Sequence, residues 1–445
     1  MVMRTLIKNA TIINEDKQFV GDVLIEDEFI IEVGEALDKP ADKTIDASGK
    51  ILIPGMIDDQ VHFREPGLTH KAEIKTESRA AVAGGITSYM EMPNTIPQAT
   101  TIDLLEDKYK RANEVSLANY SFYMGTTNKN LDELLKIDQK KICGVKIFMG
   151  SSTGDMVVDD EKALEKTFEE VKTLIATHCE NDPMIGENAK KYRAKYGENV
   201  PIECHPDIRS REACYKSSSY AKSLADKYGT RLHILHISSK EELDLFRNDI
   251  PMKEKHVTSE ACIHHMWFSR EDYKEKGTHI KWNPAVKERE DAEAILQAVN
   301  DDRIDVIATD HAPHTLEEKD NTYFKAPSGG PLVQHALPAL FEFWKQGKLT
   351  LEKIVRKTSH NVADMFSIEK RGYIKPGYYA DLVLIDPEKP LTVSKDNLLY
   401  KCGWSPFEGT TFQCSIDKTF VNGYLAWDNG HIHDQQLGKR LTFDR

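Results

Sequence analysis

Residues 55–63 read GMIDDQVHF, a short apolar run that ends in carboxylate, amide and imidazole side chains. Seven further apolar runs follow before residue 311, separated by charged stretches with helical character. They are GGITSYMEM (84–92), NYSFYMG (119–125), GVKIFM (144–149), KTLIATHC (172–179), RLHILHIS (231–238), HVTSEACI (256–263) and DVIATD (305–310). Apolar strands that alternate with helices are typical of βαβ units and a parallel sheet. Eight such units predict an α/β fold of the (β/α)₈ barrel type.

The stretches between these runs predict the helices of the barrel. Clear examples are LLEDKYKRANEV (104–115), EKALEKTFEEVKTL (161–174) and SREACYKSSSYAKSLADKY (210–228). A doubly wound open sheet is the alternative fold for a βα alternation. No G-x-G-x-x-G motif follows any of the eight runs, so the dinucleotide-binding version of that fold lacks support.

Both ends of the chain differ from this middle part. Near the N-terminus, TLIKNATII (5–13), FVGDVLIEDEFIIEVGE (19–35) and KTIDASGKILIPG (43–55) alternate apolar and polar residues, and a similar texture returns after residue 370. Period-two alternation predicts antiparallel strands. We therefore expect a small composite β-sandwich from residues 1–55 and 366–445, flanking a barrel domain of residues 56–365.

Composition excludes several classes of protein. The 445 residues are 40% hydrophobic and carry 72 acidic against 59 basic side chains, a formal charge of −13. This negative balance, without a basic run, argues against nucleic acid and anionic membranes as partners. The start of the sequence lacks the apolar region of a signal peptide, and no apolar stretch of membrane-spanning length occurs. We expect a cytoplasmic location.

The polar residues that end the runs predict a metal centre. In a (β/α)₈ barrel the active site lies at the C-terminal ends of the strands. His62, Lys146, His178, His236 and Asp310 fall at strands one, four, five, six and eight. Imidazole and carboxylate groups bind divalent metals. An ammonium group does not, but a buried lysine with a lowered pKa is a nucleophile that carbon dioxide converts into a carbamate.

Six short motifs resemble a known family. They are VHFREPG (61–67), MPNT (92–95), GVKIFM (144–149), THCEN (177–181), HILHIS (233–238) and TDHAPH (309–314). Together they resemble the cyclic-amidohydrolase branch of the amidohydrolase superfamily, and within it the dihydroorotases. The terminal stretch GYIKPGYYADLVLID (372–386) is similar to that superfamily as well, so the resemblance covers nearly the whole chain.

The resemblance implies a cofactor and its ligands. It implies one or two zinc ions per chain, with Lys146 carbamylated and shared between them. His178 and His236 would hold one ion, and His62 with Asp310 would hold the other. Asp310 would also be the catalytic proton shuttle, exchanging a proton between a metal-activated hydroxide and the ring nitrogen.

One position departs from the family pattern. The first strand of the family usually presents His-x-His, and here the first of these residues is Gln60. An amide oxygen is a weaker ligand than imidazole, so we expect the second ion to be loosely held, replaced by water coordination, or absent. Asp58 and Asp59 are the candidates to compensate, through a direct contact or through another ligand.

Substrate contacts follow from the same motifs. Arg64 is suited to pair in a bidentate way with a substrate carboxylate, and the structural alternative is an ion pair with Glu65, Glu73 or Glu77. By resemblance, the other substrate contacts come from Asn94, Asn283 in KWNPAVK (281–287) and His314, and from the loop APSGGP (326–331).

The function implied is the reversible cyclisation of N-carbamoyl-L-aspartate to L-dihydroorotate in pyrimidine synthesis. Another cyclic-amide hydrolase, such as an allantoinase or a dihydropyrimidinase-like protein, is one alternative, and Arg64 argues against it because those substrates lack the carboxylate. A catalytically silent homologue that scaffolds a transcarbamoylase is another, and Gln60 favours it. A homodimer is the family-based expectation for the assembly.

Overall fold

The computed structural model describes residues 2–150, 156–434 and 438–445. Its strands are β1 (Arg4–Asn14), β2 (Lys17–Glu26), β3 (Phe29–Gly34), β4 (Lys43–Asp46), β5 (Ile51–Pro54), β6 (Met56–Val61), β7 (Ile86–Glu91), β8 (Asn119–Phe122), β9 (Met124–Gly125), β10 (Val145–Phe148), β11 (Ile175–His178), β12 (Leu232–Ile234), β13 (Val257–Cys262), β14 (Val306–Ala308), β15 (Leu382–Asp386), β16 (Leu391–Thr392), β17 (Thr411–Phe412), β18 (Ser415–Val421), β19 (Tyr424–Asp428) and β20 (His431–Ile432). Its helices are α1 (Ile74–Ala83), α2 (Ile102–Val115), α3 (Leu131–Leu134), α4 (Glu161–Glu170), α5 (Asp182–Tyr196), α6 (His205–Ile208), α7 (Arg211–Tyr228), α8 (Ile263–Trp267), α9 (Tyr273–Lys276), α10 (Arg289–Asn300), α11 (Leu316–Lys319), α12 (Ala336–Lys345), α13 (Leu351–Val355) and α14 (Asn361–Phe366).

Strands β6 to β14 form the predicted (β/α)₈ barrel. Strands β6, β7 and β8 pair in parallel, and so do β9 to β14 in chain order. Strand β8 continues into β9 after Tyr123, so the two count as one barrel strand. A parallel bridge between Val61 and His311 closes the circle, with the His62 N–H donating to the His311 carbonyl at 2.7 Å. Each of the eight apolar runs contains one barrel strand, which confirms the fold class.

The predicted helices are present between these strands. Helices α2, α4 and α7 correspond to the three charged stretches, although α4 ends at Glu170, because Val171 is already extended and leads into β11. Their first turns are capped by Thr101, Asp160 and Ser210, whose side chains accept backbone N–H groups. Such caps satisfy donors that have no partner within the helix.

Strands from both ends of the chain form one nine-stranded sheet. Its order is β20-β19-β18-β15-β5-β1-β2-β3, with β4 beside β1. The expectation of purely antiparallel pairing is wrong for β1, which pairs in parallel with β4 and β5. The hairpin of β2 and β3 lies between these strands in the chain and supplies the long connection that a parallel pair requires.

The last residues of the chain return to the barrel. The Leu441 N–H donates to the Tyr120 carbonyl, and the Tyr120 N–H donates to Lys439. Helix α14 lies at the opposite end of the barrel interior from the strand C-termini, where Phe366 packs against Tyr123. The domain boundaries at residues 55/56 and 365/366 stay a prediction. Among the helices described, none is long and apolar enough to cross a membrane.

Candidate active site

A cavity of about 500 Å³ lies where the barrel strands end, and we call it the mouth. Its lining includes all ten residues that the sequence assigns to the site. These are Gln60, His62, Arg64, Asn94, Lys146, His178, His236, Asn283, Asp310 and His314. The parallel strands deliver their carboxyl ends to one edge of the barrel, so residues distant in sequence meet there. What each residue binds stays a prediction.

His178 and His236 face each other in the mouth. Nδ1 of His178 lies 2.9 Å from Nε2 of His236, and both side chains are buried. Two nitrogen ligands on one tetrahedral zinc lie about 3.3 Å apart, so this spacing fits a shared cation. Burial, with the neighbouring charges of His178 and Lys146, lowers the pKa of His236 well below its usual value. The imidazole is therefore neutral, which is the form that binds metals.

Glu180 and Arg209 hold the His178 ring in place. Nε2 of His178 lies 2.9 Å from a carboxylate oxygen of Glu180, and Arg209 pairs with the same oxygen. Burial raises the pKa of Glu180, but Arg209 and His178 outweigh burial and lower it to about 2. The carboxylate is therefore charged and accepts the Nε2 proton, so Nδ1 presents its lone pair to His236. A carboxylate behind a histidine ligand is common in metal centres.

Lys146 is buried in the mouth, and the opposite charges near it are those of Asp310 and Glu260. Its side chain is 1% exposed, and Nζ lies 4.6 Å from the centre of the Phe148 ring. It forms no ion pair with any residue that the structure describes. Burial lowers the pKa of Lys146 to about 8. A substantial fraction of the amine is therefore uncharged near neutral pH, as a reaction with carbon dioxide requires.

His62 and Asp310 form a second facing pair. Nε2 of His62 lies 3.2 Å from Oδ1 of Asp310, and Nδ1 of His62 lies 2.8 Å from Oδ1 of Asn94. Because the Asn94 oxygen can only accept, Nδ1 carries the proton and Nε2 presents its lone pair to the carboxylate. Burial lowers the pKa of His62 well below its usual value, so the ring is neutral. Two lone-pair donors that converge in this way fit a second cation.

Gln60 is the exception in this second pair. Its amide nitrogen donates a hydrogen bond of 3.1 Å to Oδ1 of Asp310, the atom that also faces His62. The amide therefore occupies the position from which the family histidine would ligate, and it supplies a hydrogen-bond donor instead of a lone pair. Burial raises the pKa of Asp310 to about 7, against the lowering effect of Lys146. A carboxyl group with that pKa exchanges protons readily near neutral pH.

Neither Asp58 nor Asp59 replaces the missing ligand. Asp58 accepts hydrogen bonds from the Thr309 hydroxyl at 2.6 Å and from the Gln60 backbone N–H at 3.2 Å. Asp59 faces His233 in the barrel interior, with Oδ2 3.2 Å from Nε2. Neither of the two carboxylates lines the mouth. The direct compensation considered from the sequence is therefore not made.

Arg64 lies in the mouth with its charge unpaired. Its Nε donates to the Pro313 carbonyl at 3.0 Å, and Nη2 lies 3.0 Å from Nε2 of His314. The three glutamates considered as structural partners are engaged elsewhere: Glu65 pairs with Arg111, Glu73 with Lys401 and Glu77 with His311. Burial lowers the pKa of Arg64 to about 10, so the guanidinium remains charged. No described residue forms an ion pair with it, which leaves this charge for an anionic ligand.

The other predicted substrate contacts differ in how they are held. His314 is fixed between Arg64, Lys71 and the Ser328 carbonyl, with distances of 3.0 Å to each. Asn94 is engaged by His62 through its oxygen. In contrast, Oδ1 of Asn283 is buried at the mouth and has no hydrogen-bond partner among the described residues. This oxygen is the most direct candidate to accept an N–H group of a ring substrate.

The loop 326–331 is held close to the mouth. Pro327, Ser328 and Gly329 belong to the cavity lining. The buried Lys319 ammonium donates to the carbonyls of Pro327 and Gly329, at 2.9 and 2.7 Å. A Cβ at Gly329 would lie 2.4 Å from the Ala312 carbonyl oxygen, so only glycine fits this close approach.

Sequence reasoning missed several residues of the mouth. They are Lys71, Phe148, Arg209 and Trp282 in its lining, and Glu180 behind His178. Glu180 lies two residues after His178 within the quoted THCEN motif, so the H-x-E spacing was a usable signal. Arg209 and Lys71 lie in loops without any such pattern, and only the fold brings them here.

A closed (β/α)₈ barrel whose mouth gathers four histidines, an aspartate and a buried lysine is typical of barrel hydrolases that use activated water. Comparison with known proteins makes the assignment specific. The chain belongs to the amidohydrolase family, whose sequence pattern it matches over residues 51–426.

Similar sequences and similar structures carry two different names. A protein named dihydroorotase from Halobacterium salinarum is 34% identical, over 93% of this chain and 94% of its own length. Another from Methanosarcina acetivorans is 31% identical, over 96% of this chain and 92% of its own length. The L-hydantoinase (dihydropyrimidinase) of Arthrobacter aurescens superposes with a TM-score of 0.94 at 25% identity, covering 99% of this chain and 100% of that one. A dihydropyrimidinase from Brevibacillus agri gives a TM-score of 0.89 at 25% identity, with full coverage of both chains. The chain is therefore a cyclic amidohydrolase.

Proposed function

We propose that the protein is a zinc-dependent dihydroorotase, which interconverts N-carbamoyl-L-aspartate and L-dihydroorotate in pyrimidine synthesis. The observation that carries this proposal is the unpaired Arg64 guanidinium inside the mouth. Dihydroorotate bears a ring carboxylate, and a planar guanidinium is the group best matched to it. The dihydroorotases among the similar sequences support the same substrate.

The residues of the mouth fit the proposed cofactor. His178 and His236 would hold one zinc ion, His62 and Asp310 would hold a second, and Lys146 as a carbamate would supply further oxygen ligands. When bound, zinc lowers the pKa of water towards about 7 and polarises the ring carbonyl. The carbamate has a simple physical advantage, since it replaces a buried, unpaired ammonium with an anion that binds cations.

The chain's own groups would then position the ring and move the proton. Arg64 binds the carboxylate, and Oδ1 of Asn283 accepts a hydrogen bond from a ring N–H. The Asp310 carboxylate, held by the Gln60 amide, takes a proton from the attacking water. It returns the proton to the ring nitrogen as the amide C–N bond breaks, and ring closure reverses these steps.

A dihydropyrimidinase is the second candidate, because the hydantoinase structures superpose over nearly the whole chain. Those enzymes are named for rings that lack the carboxylate of dihydroorotate. On such a substrate the Arg64 charge would stay buried and unpaired, which is unfavourable. A catalytically silent homologue is the third candidate, and it is supported by Gln60, which stands where the family usually has a histidine.

One assay separates these candidates. We expect the purified protein to hydrolyse dihydroorotate faster than dihydrouracil, with activity lost on chelation and restored by zinc. Arg64→Gln removes a buried charge-assisted contact worth about 2 to 5 kcal/mol, so kcat/KM for dihydroorotate should fall about 30-fold or more. Hydrolysis of dihydrouracil should be unchanged by this substitution. Arg247→Gln, which alters an exposed ion pair with Asp249, is the matched control.

The other outcomes identify the alternatives. Faster hydrolysis of dihydrouracil, insensitive to Arg64→Gln, would indicate the dihydropyrimidinase. If the protein hydrolyses neither substrate, whether or not zinc is bound, the silent homologue is indicated. The homodimer, the transcarbamoylase partner and the cytoplasmic location stay predictions, and the mass of the protein in solution, alone and mixed with a transcarbamoylase, tests the first two.

A further inference from the structure

A second group of metal-binding side chains lies in the barrel interior, away from the mouth lining. Asp59 on β6, His233 on β12 and Glu260 on β13 are each 0% exposed. Nε2 of His233 lies 3.2 Å from Oδ2 of Asp59 and 3.8 Å from Oε2 of Glu260. One ligand atom from each residue lies within 4.8 Å of the others. We call these three residues the interior cluster.

The atoms that face the centre of the interior cluster have no hydrogen-bond partner. Among the described residues, this holds for both carboxylate oxygens of Asp59, for Oε2 of Glu260 and for Nε2 of His233. Buried carboxylate oxygens without a partner are strongly unfavourable and rare in folded proteins. The ligand atoms of the three residues therefore converge on one small buried space, in which either a proton on His233 or a metal ion can compensate the two carboxylates.

The outer sides of His233 and Glu260 are satisfied. Nδ1 of His233 lies 2.9 Å from the Thr258 hydroxyl. The other oxygen of Glu260 accepts the His236 backbone N–H at 2.8 Å and faces the Cys262 thiol at 3.2 Å. These two residues are therefore anchored from behind while a remaining ligand atom of each points inward, as in metal sites with supporting outer contacts.

The anchor of His233 also sets its tautomer. The Thr258 hydroxyl lies 3.3 Å from the Leu232 carbonyl, to which it donates, so its lone pairs accept the Nδ1 proton of His233. Burial lowers the pKa of His233, but Asp59 and Glu260 outweigh burial and raise it to about 9. Without a metal ion Nε2 therefore carries a proton between the carboxylates, and a bound metal ion would displace that proton.

The charge of the surrounding interior points the same way. Asp58, Asp59, Glu260 and Asp310 are four buried carboxylates, and the buried cations that act on Asp310 include Lys146 and Arg64. Asp58 accepts hydrogen bonds from the backbone N–H and the hydroxyl of Thr309. In the interior cluster the His233 imidazole is the donor that faces both carboxylates, and a metal ion is the alternative source of positive charge.

We propose that the interior cluster binds one Zn²⁺ ion, distinct from any ion at the mouth. One imidazole and two carboxylates suit zinc, whose tetrahedral ligands lie about 3.3 Å apart. The ion compensates both carboxylates and connects β6 to β12 and β13 across the barrel. It also holds Glu260, and through it the backbone of His236. Because the three residues are closed off from solvent, the ion enters while the chain folds. This inference does not depend on the identity of the substrate.

The test requires a protein that lacks the ligands of the mouth. In the triple variant His62→Ala, His178→Ala and His236→Ala the interior cluster is intact. We expect this variant, produced in zinc-supplemented medium and dialysed against EDTA, to retain one zinc ion per chain by elemental analysis. Adding Asp59→Asn should remove that ion. Adding Asp58→Asn, which changes an adjacent and equally buried carboxylate that already has partners, should leave it bound.

Two results would overturn the proposal. One is a folded triple variant, checked by circular dichroism, that holds no zinc after dialysis. The other is an equal loss of zinc when Asp58→Asn or Asp59→Asn is added to the triple variant. If the triple variant does not fold, the same measurement is made on the unsubstituted protein. We expect one zinc ion per chain to remain bound after EDTA has removed the zinc of the mouth. Complete removal of zinc from a folded protein would mean that a proton on His233 compensates the two carboxylates.

Discussion

The two halves of the mouth are built differently. In one half, His178 and His236 face each other at 2.9 Å, and Glu180 and Arg209 hold the His178 ring from behind. In the other half, His62 faces Asp310, and the Gln60 amide donates to the same carboxylate oxygen. In the first half both facing atoms are imidazole nitrogens, which can act as metal ligands, whereas the second half also presents an amide N–H that is not a ligand.

This difference shows what a neutral amide can and cannot replace. A hydrogen bond from Gln60 keeps Asp310 in place at a net gain of about 1 kcal/mol. It adds no ligand, and zinc centres with several protein ligands are stabilised by about 10 kcal/mol or more. We therefore expect the His178 half to bind its ion tightly and the His62 half to serve mainly the movement of a proton.

The largest expected effect is at Lys146, whose carbamate would serve both halves under the proposed function. Lys146→Ala should lower kcat/KM by about 10³-fold or more, because it removes metal charge stabilisation worth several kcal/mol. Lys146→Arg should be equally inactive, since arginine keeps the charge but forms no carbamate. Steady-state kinetics and metal content measure both variants. Activity of the arginine variant near that of the unsubstituted protein would contradict the carbamate.

Gln60→His should make the two halves alike. An outer contact alone changes metal affinity by about 10 to 100-fold, so restoring a direct ligand should tighten the second ion by about 100-fold or more. Zinc titration followed by elemental analysis should show one more tightly bound ion per chain than in the unsubstituted protein. Gln60→Asn, which keeps the amide, is the control and should bind no additional ion.

Glu180→Gln should weaken the His178 half selectively. The neutral amide no longer compensates Arg209 or favours the Nε2 proton of His178, so zinc affinity should fall about 10 to 100-fold. Competition with a chromogenic chelator measures this change. The exposed Glu187→Gln, which loses only a surface pair with Lys190, is the matched control. Equal affinities in the two variants would mean that Glu180 does not support a ligand.

The pH dependence of carbamate formation should follow the pKa of Lys146. Burial lowers its pKa to about 8, so the uncharged amine that attacks carbon dioxide is the minor form at pH 7 and the major form at pH 9. Carbamate formation at a fixed concentration of dissolved carbon dioxide should therefore speed up about tenfold between these pH values and then level off. The growth of the ¹³C NMR signal of the carbamate, after ¹³CO₂ is added to the metal-free protein, measures this rate. A rate that keeps rising above pH 10 would indicate an ordinary exposed lysine.

The sequence alone allowed most of the fold to be predicted. Eight apolar runs became the eight barrel strands, since strands buried on both faces are continuous apolar segments with few alternative structures. The parallel pairing of β1 with β4 and β5 was not predicted, because alternation of apolar residues reports burial and not strand direction. The ten residues predicted for the site all line the mouth, because the motifs mark the strand ends, where a barrel places its polar groups.

What the sequence could not specify are contacts between side chains far apart in the chain. The hydrogen bond from Gln60 to Asp310 and the contact of Arg209 with Glu180 depend on how strands and loops meet. The interior cluster is the clearest case, since Asp59 precedes Gln60 and His233 lies three residues before His236, yet neither Asp59 nor His233 lines the mouth. The register of β6 with β7 shifts between Asp58 and Val61, and such an irregularity changes which way a side chain points. The chain thus determined by itself which chemical groups stand at each strand end. The closed barrel decided which of them meet, because the distance between two side chains depends on strand tilt and register as well as on position in the sequence.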